Sequence, residues 1–106
     1  MERWAAILAA ISKSQQDGLR LSLFRSGCRY AQKRADWRLM SLEARLEHDA
    51  DRTRSHDAFI DSCNILSRSM AEVGEDNRWR GLLGDDRKVI GDFACYVHFR
   101  LGLDAR

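Results

Sequence analysis

Neither proline nor glycine occurs between Gly27 and Gly74, and proline is absent from the whole chain. These are the two residues that interrupt helices most strongly, proline through its missing N–H and ring clash, glycine through backbone entropy. A long central stretch therefore has no built-in stop. Good helix formers (Ala, Leu, Arg, Glu, Gln, Met) fill it, and runs rich in Val, Ile, Thr and Tyr, which suit strands, are missing. The expected fold is all-α: a small four-helix bundle with short connecting loops, residues 1–106 forming a single helical domain. With 44% apolar and 32% charged residues the chain has an ordinary globular composition, sufficient for one core.

Apolar spacing divides this helical chain into segments. Trp4, Ile7, Leu8 and Ile11 fall on one face of a first helix running to about Gln16, which Asp17-Gly18 is expected to stop. Next, Leu21, Phe24, Cys28, Ala31, Ala35, Leu39, Leu42 and Leu46 step by threes and fours, predicting one long helix with that row against the core. Gly27 or Asp36 offers a place for a break. The alternation of Leu19, Leu21 and Leu23 leaves residues 19–25 open to a strand reading, and Phe93, Cys95, Val97 and Phe99 do the same for 93–99. From Glu47 to Asp57 the apolar row lapses, so a solvated turn is expected there, with Ser55 capping a third helix. That helix carries Phe59, Cys63, Leu66, Met70 and Val73 on one face and closes at Gly74. Trp79, Leu82 and Leu83 make a short lid. Asp85 and Asp86 start a final helix whose face of Val89, Ile90, Phe93, Ala94, Val97 and Leu101 is widened by Cys95, Tyr96 and Phe99.

A second row on the long helix, Leu19, Leu23, Tyr30 and Trp37, lies away from the first. Basic residues flank it, Arg34 and Arg38 among them. Aromatic anchors rimmed by arginines suit a protein contact, and these six residues are the candidate partner-binding face, with the chain itself (a homodimer) or another protein as occupant. Packing of the first helix over the row is the alternative. A nucleic-acid contact through Arg25, Arg29, Lys33 and Arg34 is the competing reading, because residues 20–38 carry six basic side chains against Asp36 alone. Residues 39–61 reverse the balance, with six acidic side chains against three arginines, and the formal net charge is only +2.

No catalytic pattern accompanies these features. His48 and His56 stand among Asp49, Asp51, Asp57 and Asp61, but Arg52 lies midway between them on the same helical row, a cation where a metal needs a donor. No nucleophile elbow or phosphate loop is present, and no cofactor or metal is expected. Cys28, Cys63 and Cys95 are odd in number, widely spaced and set among apolar residues, as buried thiols of a cytoplasmic protein would be. The apolar run from Trp4 to Ile11 is too short for a membrane span and lacks a net positive leader, so no membrane partner is expected. Taken together these features describe a protein–protein interaction or regulatory module.

Overall fold

A computed structural model describes residues 2–102. They form five helices and, among the described residues, no strand: α1 (Glu2–Ser12), α2 (Asp17–Arg38), α3 (Leu42–Glu72), α4 (Trp79–Leu83) and α5 (Arg87–Leu101). Both segments left open to a strand reading are helical. Four long helices and one five-residue helix thus make the expected all-α bundle, and side chains from all five meet in one buried cluster.

The first helix buries Ile7, Leu8 and Ile11 as its spacing predicts, and Trp4 tilts against Phe93 with ring centroids 5.8 Å apart. It ends at Ser12. Asp17 and Gly18, expected to stop it, instead open α2. The stop comes from across the molecule: the Glu75 carboxylate accepts from the Ser14 hydroxyl and the Gln15 N–H, both at 2.8 Å, while the Ser69 hydroxyl donates to Gln16. Such long-range satisfaction of a connector's polar groups is invisible to local pattern.

The Gln15 N–H and, after it, the Ser14 hydroxyl hold the Glu75 carboxyl below its ordinary value of 4.5. A depressed folded-state pKa contributes stability that is present above the unfolded value and lost as pH falls through the folded one. The melting temperature should therefore drop as pH is lowered from neutral through 4.5 and below. Asp76, held at about 2 by hydrogen bonds from Arg78, extends the loss to lower pH. Glu75→Gln should lower the melting temperature at neutral pH and flatten the upper part of that slope. Thermal melts across pH check this; an unchanged slope in the variant would show that the clamp contributes nothing.

The α2–α3 hairpin is the longest part of the molecule. At a rise of about 1.5 Å per residue the 31 residues of α3 reach about 46 Å, matching the 47 Å longest extent of the whole chain. Its turn is not where the lapse in the apolar row places it. The chain reverses at residues 39–41, and Ser41, not Ser55, caps α3 by accepting from the Ala44 N–H at 3.2 Å. Residues 47–57 are helical throughout. The helix crosses this polar stretch because acids and arginines pair at i, i+3, Asp49 with Arg52 and Asp51 with Arg54, and Ser55 turns its hydroxyl back onto the Asp51 carbonyl.

Helix α2 packs chiefly against α3 and α5, and α1 packs mainly on α4. Being covered on two sides, α2 buries two rows at once: Phe24, Cys28 and Ala31 from the first, Leu23 and Tyr30 from the second. Close approach on both sides depends on small residues. A Cβ at Gly27 would stand 2.9 Å from the Phe59 ring, and one at Gly91 would stand 2.6 Å from the Arg34 guanidinium. The two neighbours differ in freedom to yield, since Phe59 is fully buried and Arg34 is the end of a long side chain. Gly27→Ala should cost about 1–3 kcal/mol of packing strain against a helix-propensity gain of about 1 kcal/mol. Gly91→Ala should be close to neutral, and urea denaturation of the pair separates the two cases.

Phe59, Cys63, Leu66 and Met70 form the buried face of α3, whereas Val73, expected with them, is exposed. Gly74 then closes the helix with φ +78, a left-handed conformation that glycine adopts without steric cost. The lid buries Trp79 and Leu83 and leaves Leu82 out. Asp86 caps α5 by accepting from the N–H groups of Lys88 and Val89. Ile90, Phe93, Ala94, Tyr96 and Val97 are buried there, while Phe99, expected to help ring the helix with apolar contact, is exposed.

Candidate functional site

The predicted partner-binding face is largely consumed by the fold. Leu23 and Tyr30 are 0% and 1% exposed, and Leu19 packs against the same core. The reason is the double coverage of α2: its second row is apolar because α3 and α5 both need a surface to pack on. The first helix packs chiefly on α4. Arg34 is likewise occupied, stretched over Gly91 with Nη1 at 3.4 Å from Asp92 and 3.5 Å from the Cys95 sulfur. Only Trp37, half-buried, and Arg38, exposed, remain near the surface. Of the four residues proposed for nucleic acid, Lys33 is bound to Asp51 at 2.6 Å and Arg34 is held as above, leaving Arg25 and Arg29 exposed on α2.

The exposed apolar surface lies elsewhere. Leu39, Leu42 and Leu46, predicted as core, are 88%, 74% and 75% exposed. They sit at the end of the hairpin, around the turn and along the first turns of α3. No residue between Ala31 and Ser55 is buried, so this end of the molecule has no core of its own. Scattered exposed leucines are ordinary on a protein surface, whereas grouped ones are less so.

In place of a core the tip has a stack. Two guanidiniums lie over the Trp37 indole, Arg45 at 4.7 Å and Arg52 at 4.3 Å from the ring centroid. Its Nε1–H donates to the Arg45 carbonyl at 3.2 Å. Arg45 in turn reaches back, Nε donating to the Trp37 carbonyl and Nη2 to the Arg38 carbonyl. Both carbonyls lie at the C-terminal end of α2, beyond its regular hydrogen bonding, and that of Trp37 also accepts from the Met40 N–H at 3.2 Å. Cation–π contacts at sites this exposed are worth about 0.5–1 kcal/mol each. Beside the stack, the Lys33 ammonium, hydrogen-bonded to Asp51, holds that carboxyl below its ordinary value.

The histidine and aspartate cluster does not assemble into a centre. His48 is exposed, Asp51 faces Lys33, and His56 lies edge-on to Tyr30 at 5.3 Å with Nδ1 at 3.0 Å from Asp57. No group of three His, Cys, Asp or Glu among the described residues is arranged to hold a metal ion. Two buried polar atoms in this region lack a hydrogen-bond partner, Nε2 of His56 and Nε of Arg52 one turn before it. Burial pushes the Cys63 thiol up to about 12, which leaves it protonated and poorly nucleophilic. The cleft beside Trp37 measures about 140 Å³, below the range of about 300–1,000 Å³ usual for small-molecule sites.

The sequence carried a signal for the tip that the apolar row concealed. Ser41, followed by Glu43, is an N-cap with a first-turn acid, and reading it as a helix start would have moved the three leucines out to the end of a hairpin. No helix among the described residues is long and apolar enough to cross a membrane. No family model matches the chain, and no curated protein or solved structure is significantly similar to it.

Proposed function

We propose that this protein is a small helical interaction module that meets a protein partner through the tip of its α2–α3 hairpin. The observation that carries the reading is the exposure of Leu39, Leu42 and Leu46 together, on a segment with no buried residue of its own. Exposed Arg38, Glu43 and Glu47 give the leucines a charged rim, the arrangement of a polar border around an apolar centre. The nucleic-acid alternative has two of its four residues held by intramolecular contacts, and nothing further favours it.

A photo-crosslinking amino acid placed at Leu42 tests the proposal in cells, with the same group at half-exposed Ile65 as the control. The expected result is a defined protein species, this chain included, linked from position 42 and not from 65. Leu39→Ser with Leu46→Ser should abolish it. These side chains touch little, so the double variant should melt within a few degrees of the unaltered protein. Equal labelling from both positions, or labelling indifferent to the serines, would remove the basis for the reading.

A further inference from the structure

Building on the tip as a contact surface, we infer that its partner is a second copy of this chain, joined by exchange of the hairpin. The turn at residues 39–41 opens, α2 and α3 become one continuous helix, and α2 of each chain packs on α3 of the other.

Three observations lead there. The first is the register of the apolar row. Ala35, Leu39, Leu42 and Leu46 keep the 4, 3, 4 spacing of one helix face straight across the turn, and all four are exposed in the hairpin. A turn selected only as a turn has no reason to preserve helical phase. In a continuous helix the row is unbroken, and two such helices crossing antiparallel at the hinge bring the leucines of both chains together at the two-fold axis.

The second is the turn itself. It contains no glycine or proline, Leu39 keeps right-handed torsions (φ −86, ψ −7), and Ser41 departs from the helix through ψ (φ −64, ψ 164). In the closed turn the Arg45 side chain donates to the Trp37 and Arg38 carbonyls, the former also accepting from the Met40 N–H, where a continuous helix uses the backbone N–H groups of Ser41 and Leu42. Opening hands both carbonyls to the backbone donors of a continuous helix.

The third is complementarity. The two helices already fit each other along their length, with Ser26 Oγ at 3.1 Å from Ser62 Oγ and Lys33 at 2.6 Å from Asp51. A surface that fits within one chain fits equally between two identical chains, so exchange conserves the packing of α2 on α3 away from the hinge and adds burial of the leucines. Short hinges are where such exchange occurs.

The test mixes two full-length variants, Ser26→Cys and Ser62→Cys, unfolds them together in urea, refolds them at high-micromolar concentration and oxidises them. Exchange predicts a disulfide-linked heterodimer on a non-reducing gel, above the background from unaltered chains treated alike. Sedimentation should show a concentration-dependent dimer, and serine at all three leucines should weaken it by about 100-fold or more. Inserting Gly-Gly between Met40 and Ser41 should return the protein to monomer. A dimer that survives the insertion and gives no cross-chain disulfide overturns exchange, while leaving the tip as a surface where closed hairpins dock side by side. A monomer at every concentration, with a labelled heterologous partner at position 42, overturns the second copy and retains the interaction reading. A monomer with no labelling at all removes both.

Discussion

Phe59→Ala is expected to lower the unfolding free energy by about 3–5 kcal/mol, a large share of the roughly 5–15 kcal/mol that holds a domain of this size. Phe59 is 0% exposed, stacks on Phe93 with centroids 6.1 Å apart, and lies close against Gly27. It is the side chain at which α2, α3 and α5 come together. Removing the ring opens a cavity between three rigid helices, and the gap cannot collapse without moving one of them. At about 4–8 °C per kcal/mol the melting temperature should fall by more than 10 °C. Urea denaturation measures the loss, and a cost under about 1 kcal/mol would contradict the packing described for this junction.

Trp79→Ala should be comparably damaging for a different reason. The residue is 2% exposed and anchors a helix of only five residues, too short to hold itself together. Without the indole, α4 loses its hold on the core, and α1, which packs mainly on α4, loses its support in turn. The expected cost is again about 3–5 kcal/mol. Trp79→Phe distinguishes burial from hydrogen bonding. The indole N–H donates only to the Met70 sulfur, at 3.3 Å, and thioether sulfur is a weak acceptor. Phenylalanine should therefore retain most of the stability, with a loss of about 1 kcal/mol. A Phe variant as unstable as the Ala variant would show that the N–H contact, not the buried ring, holds the lid.

Most of the fold can be read from the sequence because helix content depends on local terms. The absence of breakers, the spacing of Ile7 and Ile11 and of Phe59, Cys63, Leu66 and Met70, the Asp86 cap and the Gly74 stop each act within a few residues, and each is found in place. Helix pairing is not local, and the errors gather there. An apolar row whose phase persists through a turn cannot tell which of its members lie on the wrong side of that turn, so Leu39, Leu42 and Leu46 were expected in the core and stand outside it. The converse holds for Leu23 and Tyr30. A helix clasped from two directions needs apolar residues on both, and spacing alone cannot separate a neighbour within the chain from one outside it. The Arg45 reach to Trp37 and the Glu75 clamp on residues 14–16 are tertiary satisfactions of helix ends, decided by which segments meet in space.

A segment held by an indole and two arginines, with no greasy interior, should open at far lower free energy than the helices that surround Phe59. The same stretch offers Arg38, Arg45, Arg52 and Arg54 as cleavage points for trypsin. Brief digestion should nick the chain there first, and the two pieces should stay together until denaturant separates them, because the surfaces that join α2 to α3 and α5 lie beyond the cut.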